Sequence, residues 1–127
     1  MHPRFRRART IELRGAGEAV RVVIAEGFRL RLLGLMRLRA EEIEPLLFPR
    51  CRSIHMHGMR TPIDLVWLAI EGDQGRVLGG VKALDPGGRA SAPRGGESRR
   101  RIAALELPPG EAERLGLAAG AELSFVG

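Results

Sequence analysis

The stretch CRSIHMHGM, residues 51–59, holds the chain's one cysteine, two of its three histidines and two of its four methionines. Cys51, Ser53, His55 and His57 alternate with Arg52, Ile54 and Met56, so an extended backbone would place a thiol, a hydroxyl and two imidazoles on one face. Two kinds of chemistry could use such a face. Cys51 or Ser53 could serve as a nucleophile with His55 as base and Asp64 as its partner, or His55 and His57 could share a metal ion. Spacing restricts both. At a rise of about 3.3 Å per residue, Cys51 lies about 13 Å from His55 and about 20 Å from His57. Ser53 and His55 are too far apart for a direct hydrogen bond of about 2.6–3.2 Å unless the strand bends or a water intervenes. His55 and His57, about 6.6 Å apart at the backbone, can reach one ion only if another element supplies the remaining ligands, and the spacing reveals none. Met56 and Met59 are soft donors suited to copper(I), although methionine is more often a gap-filler in a core. No cofactor and no metal are therefore expected, and His55 and His57 are the residues to watch for one.

Asp64 opens the apolar run IDLVWLAI, where a carboxylate must find donors or sit at an open end. It could accept backbone N–H bonds from the GMRTP turn, or stand beside the histidines; the register of the surrounding strands decides between the two. The chain contains no G-x-S-x-G elbow, P-loop or H-E-x-x-H motif.

The elements that must position these residues are short. TIELR and AVRVVIA read as a first hairpin around the Gly15 and Gly17 turn. The apolar positions Phe28, Leu32, Leu35 and Leu38 predict a helix near 28–38, with Gly34 inside it, and AEEIEPLL suggests a second helical turn broken near Pro45. IDLVWLAI, residues 63–70, is apolar on both faces and predicts a strand buried from both sides, paired through GMRTP with residues 51–57. RVLGGVKAL continues the meander, and its Gly79-Gly80 pair marks a bulge or bend. DPGGRASAPRGGESRR is expected to be a long loop. RIAALEL and AELSFV are strands, with a helical turn near 109–115 between Pro109 and Gly116. The sum is a mainly β, compact single-domain barrel or sandwich of about 6–8 short strands, spanning 10–127 behind a flexible basic tail at 1–9.

The 127 residues fit one domain, and no apolar run approaches the roughly 20 residues of a membrane-crossing helix. The basic start lacks the apolar stretch of a secretory signal, so a soluble, cytoplasmic protein is expected. A net charge of +6 points towards nucleic acid. The details argue otherwise. Lys82 is the one lysine among 21 basic residues, and asparagine and tyrosine are missing, a bias that a G/C-rich genome produces. The arginines cluster in the leading tail and at Arg94, Arg99, Arg100 and Arg101, and aromatics for base stacking are scarce.

RLLGLMR (31–37), CRSIHMHGMRTPIDLVWL (51–68) and LELPPGEAERLGLAAGAEL (105–123) together resemble domain of unknown function 192, an uncharacterised bacterial and archaeal family of small domains. The resemblance runs from about residue 19 to 126 and places Arg31, Gly34, Leu35, Met36, Cys51, Ser53, His55, Gly58, Met59, Pro62, Asp64, Glu106 and Gly110 at signature positions. It implies a barrel-like or sandwich fold and carries over neither a catalytic residue nor a cofactor. His57 stands where the family has a non-histidine residue, and Ala121 where it has an acid.

A non-catalytic domain binding a small ligand or a protein partner is therefore expected, with a pocket around the 51–64 hairpin drawn from Arg31, Cys51, Ser53, His55, Met59, Asp64 and Glu106. An enzyme using Cys51, His55 and Asp64 is the alternative, and a basic nucleic-acid adaptor the second. No membrane partner is expected. The alternating hydrophobes of the last strand suit a dimer face as well as a core.

Overall fold

The run Ile63–Glu71 organises the molecule, because apolar side chains on both of its faces require cover on both. The computed structural model describes residues 2–15, 17–94 and 101–127. Its strands are β1 (Thr10–Arg14), β2 (Val20–Ile24), β3 (Leu46–Phe48), β4 (Ser53–His55), β5 (Ile63–Glu71), β6 (Gln74–Leu84), β7 (Arg89–Ser91), β8 (Arg101–Leu107) and β9 (Glu122–Val126). Two short helices, α1 (Phe28–Leu33) and α2 (Glu111–Arg114), complete the regular structure together with 3-10 turns at Pro3–Phe5 and Ala40–Glu42. Seven strands close into a barrel in the order β1-β2-β3-β8-β5-β6-β9, so the sandwich alternative is set aside; β4 and β7 pair separately outside it.

One apolar cluster draws on all seven barrel strands, including Leu13, Ile24, Leu47, Leu68, Val77, Leu105 and Leu123, and is therefore the barrel interior. Ala112, Leu115 and Leu117, from α2 and the turn after it, close one end of it. The second cluster lies on the outer face of the wall, where Leu46, Leu65, Trp67 and Ala104 meet Phe5, Leu35, Leu38 and Met56. β5 feeds both clusters by simple alternation: Leu65, Trp67 and Ala69 point outward, and Val66, Leu68 and Ile70 inward.

Four chain segments cover that outer face. β2 and β3 are parallel, and a parallel pair needs a crossover; residues 25–45, with α1, supply it. Two others are the links between β3 and β5 and between β6 and β8, which meet as β4 and β7 with Ser53 opposite Ser91 and His55 opposite Arg89. The amino-terminal segment adds to this cover. Phe5 is fully buried, and Arg4 donates to the carbonyls of Gly34 at 3.0 Å and Met36 at 2.7 Å. Apolar burial at Phe5 thus docks a segment expected to be a free basic tail.

Several expected elements are present as read: the β1–β2 hairpin, the doubly buried β5, the last two strands and the helical turn before β9. The Gly79-Gly80 pair does mark an irregularity, since the β5–β6 register shifts beside Gly79 and a side chain on Gly80 would strike the Leu65 carbonyl. Four readings are corrected. The hairpin between 51–57 and 63–70 does not form, because both edges of β5 are taken by the longer β6 and β8, whereas β4 is three residues long with Ser53 and His55 exposed. The helix expected over 28–38 stops at Leu33, where Gly34 turns to φ 46°. AEEIEPLL divides into a 3-10 turn and the strand β3, whose Leu46 and Leu47 supply one residue to each core. The expected 85–100 loop contains β7, while its Arg99 and Arg100 lie outside the described residues.

Asp64 is a clasp inside the fold. Opposite it, the β5–β6 register slips between Ile63 and Leu65, and Ala83 adopts φ 49°, a left-handed conformation that costs a non-glycine residue about 1–2 kcal/mol. The Ala83 N–H donates to Asp64 Oδ1 at 2.9 Å, and the N–H groups of Gly110 and Ala112, at the start of α2, donate to Oδ2 at 2.9 and 3.2 Å. One buried carboxylate thus joins the bulge to the helix that closes the barrel. We predict that Asp64→Ala lowers unfolding stability by about 3 kcal/mol, because three buried donors lose their acceptor, and that Asp64→Asn recovers part of it. Urea denaturation measures this; a loss within about 0.5 kcal/mol, as at an ordinary surface position, would contradict the assignment.

Candidate functional site

Strand parity determines where the second buried carboxylate goes. Glu106 pairs with Leu65 on β5 and with Leu46 on β3, and both of these belong to the outer cluster, so Glu106 faces outward under the covering segments. Asp64 pairs with Leu107, an interior residue, and faces the other way. The barrel wall therefore separates two carboxylates that the sequence allowed in one pocket. Glu106 is 5% exposed between two leucines, and its carboxyl has no hydrogen-bond or ion-pair partner among the described residues. Its oxygens open onto a cavity instead of being sealed in protein. Burial pushes its pKa up from the ordinary 4.5 to about 7.

The cavity has a volume of about 570 Å³ and lies between the outer face of the wall and its cover. The crossover contributes Arg31, Leu33, Leu35 and Met36; Phe48 and Arg50 come from the end of β3 and the link after it; Arg101 and Glu106 belong to β8. The segment around β4 contributes Cys51, Ser53, Ile54, His55, Met56, His57 and Met59. Of the expected site residues, Arg31, Cys51, Ser53, His55, Met59 and Glu106 come together, and Asp64 does not. Leu35, Met36, Phe48, Arg50 and Arg101 were missed. Phe48 ends, and Arg50 follows, a strand whose sequence reads as a helical turn, and Arg101 sits in a run of arginines that reads as a loop rim. The one available signal was RLLGLMR, which contains Leu35 and Met36.

Local backbone geometry holds this wall in place. Cys51 N–H donates to the Ile102 carbonyl at 2.9 Å, pinning the segment to β8, and Met56 N–H donates to Gly88 at 2.8 Å, pinning it to the β7 side. The chain then turns at Gly58, φ 78°, whose carbonyl accepts from Arg37 N–H at 3.0 Å. A Cβ on Gly58 would lie 2.5 Å from Met36 Cε, so this glycine lets the turn press against the crossover. The even-odd alternation expected over 51–57 holds for Ser53 to Met56, with Met56 buried and Ser53 and His55 exposed, and is lost in the turn that begins after it. His55 and His57 also line a side cleft with Gly87 and Arg89. No three His, Cys, Asp or Glu side chains among the described residues gather to hold a metal ion.

The Cys51 thiol donates to the Ser53 carbonyl at 3.2 Å. Its pKa is raised, mainly by burial; the charge of Glu106 adds to the rise, while the Ser53 backbone and the Arg31 guanidinium oppose it. Cys51 therefore senses the floor carboxyl and the rim arginine together. Arg31, Arg50 and Arg101 make no ion pair among the described residues, whereas Glu26 on the same rim is held by Arg9 at 2.9 Å. The result is a cavity of mixed polar and apolar lining with a buried acid, a protonated thiol on its wall and exposed arginines around it.

The family model DUF192, Uncharacterized ACR, matches residues 9–125. Among solved structures, a protein of unknown function from Novosphingobium aromaticivorans superposes with a TM-score of 0.67 at 21% identity, covering 92% of this chain and 84% of its own. A "putative transcription regulator" from Sinorhizobium meliloti superposes with a TM-score of 0.68 at 22% identity, covering 93% and 95%. At this identity both likenesses concern the fold. No curated protein matches the chain.

The raised Glu106 pKa has a definite sign for stability. A carboxyl that ionises near 4.5 when unfolded and near 7 when folded stabilises the fold fully below the lower value, and that contribution is lost as pH rises through the upper. Relative to Glu106→Gln, the wild type should therefore lose on the order of 3 kcal/mol between those two values. Urea denaturation of both proteins on either side of this window measures the difference, and a pH-independent gap would refute it. The same variant removes a charge that opposes thiolate formation, so Cys51 should react faster with iodoacetamide at mildly alkaline pH in Glu106→Gln than in the wild type.

Proposed function

We propose that this chain, which belongs to the DUF192 family, is a non-catalytic domain that binds a small organic ligand between its barrel wall and the β4 cover. The observation that carries this reading is the Glu106 carboxyl, 5% exposed and without a protein partner among the described residues, its oxygens open to a cavity of about 570 Å³. A buried polar group lacking a partner costs stability. A ligand that supplies a donor removes that cost, and the volume falls in the range that encloses small molecules. A cytoplasmic setting belongs to the same reading, since the unpaired Cys51 beside the cavity stays a thiol there.

The enzyme alternative relied on Cys51, His55 and Asp64. Asp64 has both oxygens engaged by backbone donors across the wall, and the Cys51 pKa is raised, which works against a thiolate nucleophile. For nucleic acid, the cavity offers depth where a sequence reader needs an accessible basic face, and Phe48 is its one aromatic wall residue.

A thermal-stability screen of the full chain against a panel of small organic acids, amines, amides and alcohols tests the proposal. A true ligand present at a hundredfold excess over its Kd should stabilise the fold by about 2.7 kcal/mol. Cys51→Trp, which enlarges a half-buried side chain of the cavity wall, should abolish that stabilisation. A panel without a stabilising compound, or compounds that stabilise Cys51→Trp equally, would overturn the reading.

A further inference from the structure

Resting on that reading, we infer that the ligand is bipolar: an ammonium or similar strong donor enters first and meets Glu106, an apolar chain follows, and an anionic group stays at the rim against Arg31. Three features of one cavity lead to this class.

The first is the floor. Glu106 presents acceptor oxygens to the cavity, and no donor from the described residues reaches them. An ammonium matches such a group in charge as well as in hydrogen bonding, and a charge-assisted bond is the stronger kind.

The second is the wall. Leu35, Met36, Phe48, Ile54, Met56 and Met59 supply the apolar part of the lining, so the middle of the ligand is apolar.

The third is the rim. Arg31, Arg50 and Arg101 stand there without ion pairs among the described residues, while the rim acid Glu26 is engaged by Arg9. A simple cation would be repelled at such a mouth, and a simple anion would leave the floor unmatched. One molecule satisfies both ends only if it carries both charges. Arg31 is the arginine chosen because it is the one of the three whose charge acts on Cys51, which also feels that of Glu106.

The ionisable and charged groups around Glu106 are Arg31 from α1, Glu26 from the link before it, Arg50, Cys51, His55 and His57 from the β3–β5 link, and Arg101 from β8 itself. An ammonium must displace the proton that burial favours on Glu106, so affinity should rise with pH up to the folded-state pKa and then level off.

Isothermal titration of the full chain with aminooctanoate, octanoate and octylamine tests the proposal. Aminooctanoate should bind at least about tenfold more tightly than either single-headed analogue. Glu106→Gln should reduce it to the affinity of octanoate, and Arg31→Ala, at an exposed position, to that of octylamine. Between about pH 6 and about pH 8 the wild-type affinity should rise about tenfold, and that rise should vanish in Glu106→Gln. Equal binding of the three probes, an unaltered affinity in Glu106→Gln, or no binding of any probe overturns the bipolar class. If no probe binds but a compound from the wider screen stabilises the wild type and not Cys51→Trp, only the bipolar class is lost; if nothing stabilises it, the binding reading is lost as well.

Discussion

The pairing of Leu65 with Glu106 is the constraint on which the rest of the molecule depends. β5 and β8 are both buried on two faces, so their relative register decides which side chains enter the barrel and which face its cover. With this pairing, Asp64 turns inward to bind three backbone N–H groups and Glu106 turns outward to the cavity. A slip of one residue on β8 would bury the cavity acid among Val66, Leu68 and the other interior residues of the neighbouring strands. Such a slip is resisted by every apolar side chain of both strands at once, because each would be driven to the wrong face.

The cover follows from the same two-sided burial. An outer face carrying Trp67, Leu65 and Leu46 cannot be left to solvent, and the parallel β2–β3 pair obliges the chain to cross over it. Two further links, tied to each other as β4 and β7, extend the cover, and Phe5 and Arg4 add the amino-terminal segment. At Gly34 and Gly58 the crossover and the β4 turn take positive φ, a backbone conformation that glycine adopts without a Cβ penalty. Two glycines of the resemblance in this chain thus have a mechanical reason.

The two carboxylates divide the tasks of the fold. Asp64 is fully satisfied and acts as a fastening between the β6 bulge and α2. Glu106 is comparably buried without a protein partner among the described residues, and the cost appears as a raised pKa. The neighbouring Cys51, kept protonated by burial and by that charge, belongs to the wall of the site.

Local pattern by itself determined much of this protein. Period-two alternation and turn residues were enough for the β1–β2 hairpin, for β8 and β9, and for the two-sided burial of β5; a resemblance carried by short motifs pointed to a barrel-like domain. The alternation of 51–57 also singled out Cys51, Ser53 and His55, and the resemblance added Arg31, Met59 and Glu106, all of which line the cavity. What it left open was decided by contacts between residues distant in sequence. β3 and β7, three residues each, carry too little periodicity to announce themselves and exist because β8 and β4 lie beside them. The fate of Asp64 turned on register, and the docking of Phe5 on an apolar face assembled from remote strands. Side-chain order along a strand is a local property, but which face becomes inside is settled only when the strands close on one another.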